Sequence, residues 1–344
     1  VVAITGSNGK STVTMLVQRM LDCAGTRAVA GGNIGTPVLD LLSQPVPDYY
    51  VLELSSFQLD TTRSLRPLAA VVLNVSEDHL DRYSSMADYV SSKLRVYQGA
   101  ARRIINRDDP RLRNLPRHDG DISFGLDEPL AADLGIRIHG GQRWLCYGDD
   151  RLVPESALNL HGEQNVSNML AAIGVAGAAL SPSDCNPGAE RLSAGSSYTG
   201  LPHRCEPIAS GDEMQWINDS KGTNVGATLA AIRGSTKPLI LIAGGQGKGA
   251  NFAPLLQVLD HGVREVILLG EDARNIEKAL EGFHRIQHVT TLEAAIDRAR
   301  EIGKPGDTVL FSPACASFDM FQSYVHRGDR FRQLVREKTG GTTR

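Results

Sequence analysis

A turn reading Gly6-Ser7-Asn8-Gly9-Lys10-Ser11-Thr12 follows directly on the apolar run Val1 to Thr5 and leads into the amphipathic stretch Val13 to Leu21. Strand, glycine turn, lysine, hydroxyl pair and helix is the order in which a chain holds a nucleoside triphosphate. Gly6 and Gly9 let the backbone close around an anion past Asn8, while successive N–H groups and the helix N-terminus supply partial positive charge. Lys10 reaches the outer phosphates, and Ser11 or Thr12 can ligate Mg²⁺. The loop is tighter than the usual pattern, with only Ser7 and Asn8 between the first glycine and the Gly-Lys pair. The bland alternative is a glycine turn before a helix; the strand before it and the amphipathic run after it favour phosphate.

Three further segments place ionisable groups where strands end. Glu53 interrupts the apolar run Tyr50-Val51-Leu52-Glu53-Leu54-Ser55-Ser56-Phe57 near the carboxyl edge of a strand, where a carboxylate is costly unless it meets a cation such as Mg²⁺ or an edge salt bridge. The run Ala69 to Val75 passes into Ser76-Glu77-Asp78-His79-Leu80-Asp81-Arg82-Tyr83, a loop suited to a metal or a phosphate, though a lone histidine such as His79 is more often structural. Lys93 reads from its surroundings as a solvated helix lysine. In the second half, Leu201-Pro202-His203-Arg204 precedes a strand ending Asn218-Asp219-Ser220-Lys221-Gly222-Thr223. Arg204 could clamp a phosphate, Asp219 take ribose hydroxyls and Lys221 meet an oxyanion; the alternative is a polar hinge with its own salt bridges. Gly244-Gly245-Gln246-Gly247-Lys248-Gly249 is a weak second anion loop. Ser312 to Asp319 ends a strand and is expected to open a helix whose N–H groups could hold a carboxylate; Cys315 within it reads as a buried thiol.

These groups need a doubly wound scaffold, and the sequence supplies its pattern. Strand-like runs at Val1 to Thr5, Tyr49 to Leu54, Ala69 to Val75 and Arg103 to Asn106 alternate with helical patterns, which predicts a parallel sheet. Short alternating runs from Ile122 to Leu160 predict a small antiparallel flap on this α/β domain, and a helix is expected from about Gln164 to Leu180. A loop through Tyr198 to Pro202 marks the boundary, giving domains 1–200 and 201–344. Strands at Gln215 to Asn218, Leu239 to Ala243, Glu265 to Leu269, His288 to Thr290 and Thr308 to Phe311 then alternate with helices at Val225 to Arg233, Pro254 to His261, Asp272 to Leu280 and Leu292 to Ile302. A last helix is expected from Phe318 to Lys338. That pattern is a second, Rossmann-like doubly wound domain.

The bulk properties are ordinary for a soluble globular protein. At 344 residues two domains are the default, and a net charge of -3 argues against nucleic acid or an anionic membrane as the main partner. Five cysteines without a C-x-x-C pair suit reduced thiols in the cytoplasm. Residue 1 already lies in a strand with no initiator Met, basic leader or apolar stretch before it, so an upstream domain is expected to be missing from this sequence.

The segments Thr5 to Thr12, Gly32-Asn33-Ile34-Gly35, Leu52 to Leu59, Asn74 to Tyr83, Leu201 to Arg204, Asn218 to Lys221 and Ser312 to Ser317 together resemble the Mur ligases of peptidoglycan synthesis, in order along the chain. The Glu53-Leu54-Ser55-Ser56-Phe57-Gln58 form looks like the D-glutamate-adding branch. The resemblance implies a P-loop ATPase domain followed by a mobile domain that completes the ATP site and receives D-glutamate. It also implies an N-terminal UDP-binding domain that is absent here, so little activity is expected from this chain alone. The implied reaction passes the γ-phosphate of ATP to the carboxylate of UDP-N-acetylmuramoyl-L-alanine, and the amine of D-glutamate then displaces phosphate. By the same resemblance, Gly6, Asn8, Gly9, Lys10 and Ser11 hold phosphate, with Thr12 beside Mg²⁺. Glu53, His79 and a carbamylated Lys93 surround two Mg²⁺ sites. Asn165 and Asn168 contact adenine, and Arg204 and Asp219 contact phosphate and ribose. Asn33, Ser55, His203, Lys221, Thr223, Lys248, Ser317, Phe318 and Tyr324 fall on the substrate side, Lys221 with a catalytic role. A monomer is expected. A folylpolyglutamate synthase shares the P-loop and the chemistry but fits the Ser-Ser-Phe-Gln and Glu-Asp-His-Leu-Asp-Arg-Tyr forms less well, and a nucleotide-binding module without ligase activity is the rival from another class.

Overall fold

A computed structural model describes residues 1–78, 82–160, 162–180, 188–236, 238–259 and 262–340. Its contacts fall into two units, Val1–Ser76 with Tyr83–Thr199, and Glu77–Arg82 with Gly200–Arg344.

The first unit runs β1 (Val2–Thr5), α1 (Lys10–Asp22), β2 (Ala28–Gly32), α2 (Val38–Leu41), β3 (Tyr49–Glu53), α3 (Ser56–Thr61), β4 (Ala69–Val72), α4 (Met86–Leu94), β5 (Arg102–Asn106), β6 (Ile122–Phe124), β7 (Leu134–His139), β8 (Gln142–Tyr147), β9 (Asp150–Pro154), α5 (Glu163–Leu180) and α6 (Ala189–Ser196). One sheet takes all of these strands in the order β2-β3-β1-β4-β5-β6-β7-β8-β9. Val2, Ala3 and Ile4 are fully buried because helices cover both faces of a parallel strand. Ala3, Leu52, Ala70 and Val72 pack with Leu59, Tyr89 and Val96 on one face, and α1 and α5 cover the other. The antiparallel hairpins expected over Ile122 to Leu160 are present as β7–β9. They are attached to the domain through β6, which pairs parallel with both β5 and β7 and carries the main sheet into them.

The second unit runs β10 (Glu206–Ile208), β11 (Gln215–Asn218), α7 (Val225–Gly234), β12 (Leu239–Gly244), α8 (Leu256–Leu259), β13 (Val263–Leu269), α9 (Ala273–Ala279), β14 (Ile286–His288), α10 (Leu292–Ile302), β15 (Thr308–Phe311) and α11 (Tyr324–Thr339). Its sheet has the order β10-β11-β15-β12-β13-β14 and is parallel except for β10. One face packs Val225, Ile232, Leu255 and Ile276; the other packs Leu292, Ile296, Phe331 and Leu334.

Among the expected boundaries that move, two have a visible cause. β14 lies two residues earlier than His288 to Thr290, since Ile286 pairs with Val266 and Thr291 caps α10, its hydroxyl accepting from Ala294 N at 3.1 Å. The last helix starts at Tyr324 instead of Phe318. Ser317 O accepts from Met320 N and Phe321 N in a turn, and Ser323 Oγ, accepting from His326 N at 3.1 Å, supplies the cap. Ser312 to Asp319 therefore opens no helix.

Candidate functional site

The phosphate-loop candidate sits at the carboxyl end of β1, where an open parallel sheet presents ligands. Gly9 is the N-cap of α1 with φ +84°, and its side-chain-free cap places the positive end of that helix at the loop. A Cβ at Gly9 would lie 2.4 Å from Asn168 Oδ1, so the loop needs glycine here both for its conformation and for the approach of α5. The loop is pinned to the segment after β4. Asn8 N donates to Asn74 Oδ1 at 2.8 Å, Asn74 Nδ2 returns to Asn8 O at 3.1 Å, and Ser7 Oγ donates to Ser76 O at 3.0 Å. Lys10 Nζ curls onto Gly6 O at 2.9 Å and Ser7 O at 3.0 Å.

Glu53, 2% exposed, closes β3 beside this loop. Ser11 Oγ donates to its Oε2 at 2.5 Å and Asn33 Nδ2 to its Oε1 at 3.0 Å. Gly32, with φ +106°, brings Asn33 into place: a Cβ there would meet Glu53 O at 2.4 Å. Three residues expected at the site, Ser11, Asn33 and Glu53, thus form one hydrogen-bonded set. Its carboxylate and hydroxyl oxygens are hard donors of the kind Mg²⁺ selects, and the carboxylate's partners here are neutral. Thr12 is buried next to Ser11. Ser55 caps α3 through a reciprocal pair with Gln58. His79 lies outside the described residues.

Lys93 overturns the reading of it as a solvated helix lysine. It is 2% exposed, its Nζ donates to Gly6 O at 2.9 Å, and its ammonium lies 4.5 Å from the Tyr89 ring centroid. The first turn of the phosphate loop thus holds two lysines, Lys10 and Lys93, on one carbonyl. At the start of α5, Asn168 Nδ2 faces Asn165 Oδ1 at 3.4 Å, next to Gly9.

In the second unit, Asp219 follows β11 and is buried, 7% exposed. Burial pushes its carboxyl up to about 6, partly opposed by the hydroxyl of Ser312, the N–H of Cys205 and the charge of Arg204. Ser312 Oγ donates to Asp219 Oδ2 at 2.7 Å. Arg204 and Asp219, expected together, are neighbours. Lys221 and Tyr324 are too: the ammonium lies 3.9 Å from the ring centroid. His203 is buried against α11, where a Cβ on Gly328 would lie 2.3 Å from its Nδ1. Burial lowers its pKa, so the ring is neutral near pH 7. Thr223, Asn224, Gly247 and Lys248 line a recess with Glu77 and Asp78. Gln246 and Ala316 exchange backbone bonds at 3.1 and 2.9 Å, zipping the loop of Lys248 to that of Ser317. Phe318 stands out from this group, 71% exposed. The glycine loop at 244–249 is not open to an outside anion at Gly247, whose N donates to Asp272 Oδ2 at 2.6 Å.

Several organising residues escaped the sequence reading. Asn74 and Tyr89 support the phosphate loop, and only the adjacency of β4 and α4 to β1 reveals them. Arg327, 3% exposed, donates to Ser220 O at 2.9 Å, Cys315 O at 3.0 Å and Ala316 O at 3.1 Å, tying the loop before Lys221 to the loop before Ser317. Burial lowers its pKa to about 10. A heptad of charges in a terminal helix gives no hint of this role.

Residues 4–176 match the Mur ligase middle domain, and residues 203–315 match the Mur ligase glutamate ligase domain. The chain is 47% identical over 340 residues to the UDP-N-acetylmuramoylalanine–D-glutamate ligase of Nitrosococcus oceani, spanning 98% of this chain and 74% of that protein. Among solved structures, the MurF ligase of Thermotoga maritima in complex with ADP superposes with a TM-score of 0.73 at 18% identity, covering 98% of this chain and 80% of that one. The folylpolyglutamate synthase of Mycobacterium tuberculosis, solved with ADP and AMPPCP, gives 0.67 at 15% identity, covering 100% and 91%. These two show the shared fold. Among the described residues no helix is long and apolar enough to cross a membrane.

Proposed function

The chain belongs to the Mur ligase family, in the branch of the UDP-N-acetylmuramoylalanine–D-glutamate ligases, and on that premise we propose how its residues divide the work of an ATP-dependent ligase in peptidoglycan precursor synthesis. The observation that carries the reading is the meeting of Lys10, Ser11 and Glu53 at one sheet edge in a chain so similar to a D-glutamate-adding relative. ATP lies with its phosphates against the N–H groups of Gly6 to Thr12, and Lys10 leaves its two carbonyls to neutralise the outer phosphates. Asn165 and Asn168 take the adenine. Arg204 and Asp219 take phosphate and ribose.

The γ-phosphoryl group passes to the alanyl carboxylate of UDP-N-acetylmuramoyl-L-alanine, ADP leaves, and an acyl phosphate forms. The amine of D-glutamate then attacks the acyl carbon; phosphate departs with the bonding pair, and the amine's proton goes to solvent or a nearby base. No enzyme nucleophile is needed, so the protein's part is positioning and charge neutralisation. Mg²⁺, when bound, would neutralise charge on the phosphates, and Ser11, Thr12, Glu53, His79 and a carbamylated Lys93 would hold it around two sites. Addition of CO₂ to the Lys93 amine would replace its cation with two oxygens. Lys248, Thr223, Lys221, Ser317 and Tyr324 receive D-glutamate, and the reaction is cytoplasmic, carried out by a monomer.

Phosphate release by the full-length enzyme in the presence of ATP, D-glutamate and the UDP-linked substrate is the test, with a pterin substrate as the arm that separates a folylpolyglutamate synthase. Loss of turnover in Lys93→Ala, restored in part by short carboxylic acids, is expected from the carbamate. Phosphate release with the pterin alone would overturn the assignment.

A further inference from the structure

Thr5 closes β1 immediately before the phosphate loop, fully buried, and its hydroxyl Oγ1 has no hydrogen-bond partner among the described residues. A buried hydroxyl left unpaired carries a desolvation cost that a valine of the same shape would avoid. Its direction follows from the strand. Side chains two apart on a strand share a face, so Thr5 lies on the side of Ala3, and its register partner across the sheet is Val72. Ala3 and Val72 belong to one core cluster with Tyr89 of α4. The same helix delivers Lys93, whose Nζ donates at 2.9 Å to the carbonyl of Gly6, the residue next to Thr5. An orphan hydroxyl and a buried lysine therefore reach the start of the loop from the same side.

The proposed function turns the cation on Lys93 into an anion. A neutral Lys93 amine attacks the carbon of CO₂ with its lone pair; a C–N bond forms, one C–O π pair moves onto oxygen, and a proton leaves nitrogen for solvent. The N–H that remains can keep the Gly6 carbonyl. The two new oxygens share a negative charge on a side chain that is 2% exposed, close to the Tyr89 ring, whose face attracts cations and repels anions. Bulk water cannot satisfy those oxygens there, so protein donors or a metal must. We propose that the Thr5 hydroxyl is kept for that group: it donates to a carbamate oxygen on Lys93, orienting the carbamate and favouring its formation. This inference rests on the carbamate reading of Lys93 and adds a positioning residue to it. Only threonine gives this buried position both a donor and a β-branched stem, stiff at χ1, that holds the donor where the strand puts it.

Carbon-13 NMR of the full-length enzyme equilibrated with labelled CO₂, Mg²⁺ and a non-hydrolysable ATP analogue reads the carbamate directly, with Lys93→Ala identifying its signal. Thr5→Val is expected to need about tenfold or more CO₂ for half-occupancy, the size of a hydrogen bond to a charged group, while Thr5→Ser stays close to the wild type. In CO₂-free buffer, where the hydroxyl has nothing to bond, Thr5→Val should resist denaturant at least as well as the wild type. A merely structural Thr5 gives the opposite pair of results, lower stability in Thr5→Val with unchanged CO₂ half-occupancy. Unchanged half-occupancy overturns the proposal whatever the stability does. A loss shared equally by Thr5→Ser would trace the effect to packing and overturns it as well. So does a Thr5→Val enzyme that fails to fold, since the hydroxyl would then be at work in the resting protein. Absence of the carbamate signal from the wild type overturns the carbamate reading of Lys93 and this inference with it, an outcome that no Thr5 variant can produce.

Discussion

Lys10 bonds to two carbonyls of its own loop, so removing its side chain costs the loop little and the phosphates much. Lys10→Ala is expected to fold normally and to lose ATP binding by at least two orders of magnitude, roughly the loss of one charge-assisted contact; an unchanged nucleotide affinity would refute the phosphate loop. Asp219 makes a prediction about pH. Its carboxyl rises from 3.8 to about 6 on folding, so between those values the native state binds more protons than the unfolded one. Stability from this group therefore falls as pH rises through that window and is flat above it, by a total of about 3 kcal/mol. Asp219→Asn should flatten the slope of unfolding free energy between pH 4 and 6 in denaturant titrations, and an identical slope would count against the burial argument. At this scale the legible residues were those whose meaning is local: Gly9, Lys10 and Ser11 announce themselves by spacing. Lys93 did not, because its burial depends on Gly6, 87 positions away, and nothing in its own helix records that.

Secondary structure elements bring such distant residues together through close backbone approaches, and these can be broken singly. Gly9→Ala would place a methyl against the Asn168 amide and force a left-handed residue with a Cβ. We expect a loss of roughly 1–3 kcal/mol in unfolding free energy, together with weaker ATP binding, because α1 and α5 can no longer approach at the loop. Full retention of both in Gly9→Ala would show that the loop tolerates another conformation. Elements with a period and a cap were legible: α10 was expected over Leu292 to Ile302 and occupies that span, and β15 likewise holds Thr308 to Phe311. The start of α11 was not, since Ser317-Phe318-Asp319 and Ser323-Tyr324 are both reasonable starts, and the choice falls to Ser323, its hydroxyl capping His326 N. The union of β6 with β7 was equally hidden, for it rests on pairing between segments too short to show a period.

The whole chain carries separate cores, and each unit contains one of its two tryptophans, Trp144 in the first and Trp216 in the second. Two domains need not unfold as one. In Trp144→Phe the remaining fluorescence reports the second unit, and its denaturant midpoint is expected to differ from that of the far-ultraviolet dichroism, which sees both. Coincident midpoints would mean that the units unfold together. The α/β character was readable from alternation; the place of Glu77–Arg82 with the second unit was not, because a loop's allegiance depends on contacts far along the chain. The sheet order has one more outcome, in time. β1 precedes both of its sheet neighbours in the chain, β3 and β4, so it waits for Ala69–Val72 before both its edges are covered. At roughly 5–20 residues per second on the ribosome, that leaves the phosphate-loop strand half-dressed for several seconds of every molecule's birth, an interval in which a chaperone has a natural client.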